Sequence, residues 1–195
     1  MTVQLAIFAS GNGTNAENII RYFTSHPSIA VAAVFCNKPD AVVLQRALKY
    51  NIPTVVFSNE DLNDNGRVLE ILQHYKVDWI ILAGFLWKFP ESILKNFPER
   101  VLNIHPALLP LFGGKGMYGM HIHRAVVAAG VSETGITIHK VNQNYDEGAI
   151  VFQQSVAVLP EDSPETVAQK IAELEQKYFP VIIEKTILEN VKTVR

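Results

Sequence analysis

Cysteine is nearly missing from this chain. Cys36 is the single one among 195 residues, which excludes an internal disulfide and any cysteine-based metal cluster. It fits a reducing compartment, and a cytoplasmic place is expected. Cys36 sits in the apolar run Ala33-Val34-Phe35-Cys36 and reads as a small buried residue. Charge is scarce and balanced as well. With 17 Lys and Arg against 19 Asp and Glu, 18% charged in all, there is no clustered basic surface of the kind a nucleic acid needs. Long apolar runs are absent: the N-terminal one covers only Leu5 to Ala9, far short of a membrane span and without a basic leader. Nucleic acid and membrane are therefore not expected as partners. No His-Glu-x-x-His occurs, and His121 and His123 stand two apart on an expected helix, facing different ways. No metal is expected. The serine elbow Gly-x-Ser-x-Gly is also missing.

What is present is apolar and alternates in kind. Hydrophobic residues make up 48% of the chain, enough for one domain with a large core. Val3 to Ala9 reads as a strand buried on both faces. A turn, Ser10-Gly11-Asn12-Gly13-Thr14-Asn15, follows. Thr14 and Glu17 have the spacing of a capping box, and Ala16, Ile19, Ile20 and Phe23 make one apolar helix face. Then come a strand from Ile29 to Cys36, a helix over 41–50, a short strand over 54–57, a polar loop over 58–65, a helix over 66–75 and a strand over 77–83. Strands alternating with helices predict parallel pairing with right-handed crossovers. After a short helix over 91–97 and a strand from Val101, a helix over 121–129 precedes strands over 134–141 and 149–159. Their short connection favours antiparallel pairing. Ser163 and Pro164 open a last helix with Val167, Ile171, Leu174 and Tyr178 on its stripe. Pro180 is expected to kink or break it before 181–190. The fold class is α/β: a doubly wound, mostly parallel, Rossmann-like sheet with antiparallel strands added in the C-terminal half. The expected organisation is a single domain over 1–195, with a phosphate-binding half over 1–100 and a catalytic half over 101–195.

Four stretches have residues suited to chemistry. In Val101-Leu102-Asn103-Ile104-His105-Pro106 the side chains of Asn103 and His105 point the same way, and Pro106 ends the strand. The amide suits a developing oxyanion and the imidazole a proton transfer near neutral pH. Two satisfied polar groups closing a turn remain the other reading. Asp146, in the turn 142–148, is a natural partner for His105: a carboxylate favours the imidazolium and fixes the ring. It is equally ordinary turn chemistry. Gly11-Asn12-Gly13-Thr14-Asn15 offers free backbone N–H groups at a helix start, suited to a monophosphate. It lacks the third glycine of a dinucleotide turn and the Gly-Lys-Ser/Thr of a P-loop. Phe85-Leu86-Trp87-Lys88-Phe89-Pro90 is either a surface cap or a wall for a flat heterocycle. Glu175 borders the last helix's stripe, either reaching a site or standing on a solvated edge. The segment Phe112 to Met120, with four glycines, is expected to be mobile.

Taken together, Ser10-Gly11-Asn12-Gly13-Thr14-Asn15, Leu82-Ala83-Gly84-Phe85, Asn103-Ile104-His105-Pro106-Ala107-Leu108-Leu109-Pro110 and Asp146-x-Gly148 resemble the formyltetrahydrofolate-dependent formyltransferase family, end to end. The glycine turn and chain length are similar to its glycinamide ribonucleotide members. The resemblance implies 10-formyltetrahydrofolate as co-substrate and glycinamide ribonucleotide as acceptor in purine synthesis, without a metal. It implies Gly13, Thr14 and Asn15 at the substrate phosphate, Glu175 at the amine, and Leu86, Trp87, Lys88 and Phe89 beside the pterin. It gives Asn103 to the oxyanion, the proton shuttle to His105, and the setting of its charge to Asp146. A homodimer stays open. Trp87-Lys88 departs from the Arg-containing pair common there, and 111–120 is longer than in many members. Methionyl-tRNA formyltransferase would add a basic C-terminal domain and formyltetrahydrofolate deformylase an N-terminal one; neither is expected. A non-catalytic phosphometabolite-binding module remains the alternative from another class.

Overall fold

The computed structural model describes residues 2–64 and 66–193, with side chains through residue 190. Sequence expectations for residues 1, 65, 194 and 195 lie outside the described residues. The elements run β1 (Val3–Ala9), α1 (Thr14–Phe23), β2 (Ile29–Cys36), α2 (Val42–Leu48), β3 (Thr54–Val56), α3 (Asn59–Asn63), α4 (Arg67–His74), β4 (Trp79–Leu82), α5 (Glu91–Leu94), β5 (Val101–His105), α6 (Met120–Ala128), β6 (Glu133–Lys140), β7 (Ile150–Ala157) and α7 (Pro164–Thr193). The seven strands form one sheet in the order β3-β2-β1-β4-β5-β6-β7. This is the expected α/β class. The chain divides into two compact units, Met1–Leu102 and Asn103–Arg195.

In the first unit β1 lies at the centre, paired in parallel with β2 and with β4. Its apolar run explains that place, since Leu5, Ala6, Ile7 and Phe8 are fully buried and only a strand covered on both faces can be apolar on both. Phe8 stacks on Phe35 of β2, ring centroids 4.7 Å apart at 10°. Phe57, Phe85 and Phe89 meet Phe8 edge-on. Burying rings of this size contributes about 1.5–3 kcal/mol each. Helix α1 buries Ala16, Ile19, Ile20 and Phe23 as its spacing predicts.

Two local expectations fail in this unit. Thr14 does not cap α1: it is already the first helical residue. Gly13 takes the cap position with φ 76° and ψ 27°, and no side chain caps the helix. Glu17 pairs instead with Arg46 of α2. The 58–65 stretch is not all loop. Ser58 accepts from the Asp61 N–H while the Asp61 carboxylate accepts from the Ser58 N–H, and this reciprocal cap supports the one-turn helix α3. Asp in place of the usual Glu or Gln at the third position hid that signal.

In the second unit β6 and β7 pair antiparallel, Thr137 opposite Gln153. Helix α7 starts as expected, Pro164 at its first position and Ser163 Oγ accepting from the Thr166 N–H at 3.2 Å. Pro180 does not break it: α7 is one helix of 30 residues. Phe179, Ile182, Ile183 and Ile187 are all buried, and that burial offsets the lost backbone bond and ring clash of an interior proline, about 3 kcal/mol. Leu174 and Tyr178 are only half-buried, so the buried stripe runs from Val167 and Ile171 onward through Phe179.

Candidate active site

Strand β5 ends on Asn103-Ile104-His105. Alternation puts Asn103 and His105 on one face, and His105 is 3% exposed. Its Nε2 donates to the Phe112 carbonyl at 2.9 Å. A carbonyl only accepts, so Nε2 holds the ring proton and Nδ1 is where a second proton would be taken up. Nδ1 lies 3.5 Å from Asp146 Oδ2. The structure thus brings His105 and Asp146 side by side. Asp146 sits at φ 56° in the turn between β6 and β7, and Oδ2 accepts from the Gly114 N–H at 3.0 Å. Gly148 closes that turn: a Cβ there would lie 1.7 Å from the Lys140 carbonyl oxygen, so no side chain fits.

His139 of β6 completes the cluster, and the sequence reading missed it. Its Nδ1 donates to the Lys140 carbonyl at 3.0 Å, which leaves Nε2 to accept from Asn103 Nδ2 at 3.0 Å. The same Nε2 is 3.6 Å from Asp146 Oδ1. Asn103 is therefore held by one amide N–H while the amide has a second. A signal for His139 was available: Thr137 and His139 alternate onto one face of an apolar strand, and buried polar groups need partners. Thr137 has its own. Its hydroxyl donates to the Ala107 carbonyl at 2.7 Å and accepts from the Leu109 N–H at 3.0 Å and Gln153 Nε2 at 2.9 Å. That network pins the loop leaving His105.

Burial and neighbouring charge pull against each other on both partners. Burial pushes the His105 imidazole below its ordinary value, outweighing the upward pull of the Asp146 carboxylate and the Phe112 carbonyl, while His139 adds to the fall. Asp146 acts on His105 in the expected direction, but desolvation of the cation is the larger effect and the net shift is downward. Burial would raise the Asp146 carboxyl; His139 and His105 in their protonated forms and the Gly114 N–H together hold it below the usual carboxylate range. The two shifts run the same way, and each favours a carboxylate on Asp146 and an uncharged ring on His105. The Gly-rich segment is also not merely a mobile excursion, since Phe112 and Gly114 supply backbone contacts to both partners.

Glu175 is half-buried on α7. In the first unit Gly13, Thr14 and Asn15 occupy the start of α1. Of the aromatic stretch, Leu86 and Lys88 are exposed and Trp87 half-buried, its ring edge-on to Phe57 and Phe85 at 6.2 and 6.3 Å. Phe89 is 4% exposed and packed on Phe8 and Phe85. The Leu86 N–H donates to Ser10 Oγ at 3.1 Å, tying this stretch to the glycine turn.

The family model described as Formyl transferase matches residues 3–183. The chain belongs to the formyl transferase family. This formyl transferase is 37% identical over 196 residues to the chloroplastic phosphoribosylglycinamide formyltransferase of Arabidopsis thaliana, a match covering 97% of this chain and 67% of that protein. It is 33% identical to phosphoribosylglycinamide formyltransferase of Bacillus subtilis (strain 168), covering 94% of each. The crystal structure of phosphoribosylglycinamide formyltransferase from Bacillus halodurans superposes with a TM-score of 0.84 at 33% identity, covering 94% of this chain and 95% of that one. Among the described residues no helix of the formyl transferase is long and apolar enough to cross a membrane, and no group of three or more His, Cys, Asp or Glu is placed to hold a metal ion.

Proposed function

We propose that this family member transfers a formyl group from 10-formyltetrahydrofolate to the amine of glycinamide ribonucleotide in purine biosynthesis, in the cytoplasm. The observation that carries the reading is the cluster of buried His105, half-buried Asp146 3.5 Å from its Nδ1, and an Asn103 amide with an N–H to spare. The names of the relatives supply the acceptor, and the lone buried Cys36 supports a reducing setting.

The folate, when bound, supplies the formyl group. Attack of a neutral amine on the formyl carbon forms a C–N bond, pushes charge onto the formyl oxygen and leaves the attacking nitrogen with a proton to lose. Asn103 offers its second N–H to that oxygen. His105 takes up the proton, Asp146 stabilises the imidazolium so formed, and His105 then returns the proton to the departing nitrogen as the old C–N bond breaks. Gly13, Thr14 and Asn15 hold the phosphate through backbone N–H groups at the start of α1, and Glu175 orients the amine. Leu86, Trp87, Lys88 and Phe89 flank the pterin. The fit rests on the half-buried Trp87 ring backed by Phe57 and Phe85, a flat apolar support for a heterocycle.

The test is His105→Ala in a formyl-transfer assay with both substrates. The reading predicts a fall in turnover of about a hundredfold or more, the scale of lost acid–base function. Activity within a few-fold of the parent contradicts the mechanism.

A further inference from the structure

The glycine turn is held from behind by α2. The Gly11 carbonyl accepts from the Val43 N–H at 3.2 Å. The next carbonyl, that of Asn12, accepts from Arg46 Nε at 2.8 Å, and Arg46 Nη2 donates to Asn12 Oδ1 at 2.9 Å. Arg46 Nη1 donates to the Glu17 carboxylate, which also accepts from the Tyr50 hydroxyl at 3.5 Å. Gly13 follows in the left-handed region, and a Cβ on it would lie 2.4 Å from Val43 Cγ2. Helix α2 therefore meets every residue of the turn from Gly11 to Gly13.

The geometry of the peptide gives this clamp a consequence. In a trans peptide the carbonyl and the following N–H point in opposite directions. Pinning the Gly11 and Asn12 carbonyls toward α2 turns the N–H groups of Asn12 and Gly13 away from it. Two successive N–H groups made to converge by a left-handed residue form an anion-binding concavity. The charge of Glu17 opposes that use, because its carboxylate stands in the first turn of α1, where it would repel an incoming phosphate. Arg46 cancels it.

We propose that Arg46 is a positioning residue for phosphate binding: its guanidinium fixes the direction of the Gly13 N–H through Asn12 and neutralises Glu17. The proposal rests on the phosphate reading of the glycine turn. Arg46 contacts the turn and Glu17 and acts on the ligand only through them, so its removal lowers affinity for a phosphorylated acceptor without touching the chemical step.

The experiment compares steady-state formyl transfer to glycinamide ribonucleotide with transfer to its dephosphorylated riboside. With Arg46→Met, KM for the ribonucleotide rises about ten- to a hundredfold, the range of a lost hydrogen bond to a charged group. Its kcat stays within about threefold, as for a loss of uniform binding, and kcat/KM for the riboside is unchanged. Adding Glu17→Gln to Arg46→Met recovers part of the ribonucleotide KM, which a brace without an electrostatic role does not do. Arg46→Lys keeps the charge but not the fork, raises KM a few-fold, and carries the test should Arg46→Met fail to fold. An unchanged ribonucleotide KM in the folded variants, or an equal loss for both acceptors, overturns the proposal. Gly13→Val separates the two layers of the argument. If it raises KM for the ribonucleotide alone while Arg46→Met and Arg46→Lys do not, the phosphate reading stands and the Arg46 proposal falls. If it weakens both acceptors equally, the phosphate reading falls and takes the proposal with it.

Discussion

Burial and charge oppose each other on the His105 ring. Desolvation pushes its pKa down, and the Asp146 carboxylate 3.5 Å from Nδ1 limits the fall. The sign follows directly: Asp146 pulls the His105 pKa up, so its removal lets that value fall further below the ordinary 6.5. In Asp146→Asn an NMR titration of the His105 ring in the free protein moves to lower pH than in the parent, and turnover drops by about a hundredfold, since the imidazolium loses its partner. A titration that stays in place or moves upward contradicts the coupling. Asn103, His105 and Asp146 were legible as residue types suited to the chemistry. The direction of the net shift on His105 was not, because the alternation of a strand tells which way His105 points and nothing about how much water its ring retains.

At the scale of elements, β6 organises what the strand β5 presents. Thr137 and His139 sit two apart on β6, one pinning the loop after His105 and the other holding Asn103. Replacing Thr137 by Val keeps the shape and removes the hydroxyl, leaving the Leu109 N–H without its acceptor. That costs about 1–3 kcal/mol for a buried unsatisfied donor, read as a lower urea midpoint at unchanged slope. An unchanged midpoint shows that the loop is fixed by other means. The apolar strands and the α1 face were readable from periodicity, as Leu5 to Phe8 and Ala16, Ile19, Ile20 and Phe23 demonstrate. Elements set by side chain-to-backbone exchange were less so. Ser58 with Asp61 made a helix in a stretch that composition marks as loop, and Gly13 displaced Thr14 from the cap. Pro180 sits inside α7 because the buried apolar residues after it favour continuing the helix, a tertiary effect that no local rule contains.

At the scale of the whole molecule, the alternation of strands and helices with a closing antiparallel pair was enough to give the sheet class. It could not give the contacts between residues 36 to 41 positions apart, Asn103 with His139 and His105 with Asp146, which exist only once β6 and the turn after it lie beside the end of β5. The central claim is the transfer itself. The most direct measurement is a spectrophotometric assay of the purified protein with a 10-formyltetrahydrofolate analogue, run with and without glycinamide ribonucleotide. The account predicts formyl transfer only when both are present. Release of formate with no acceptor, or no turnover while phosphometabolite binding persists, contradicts it.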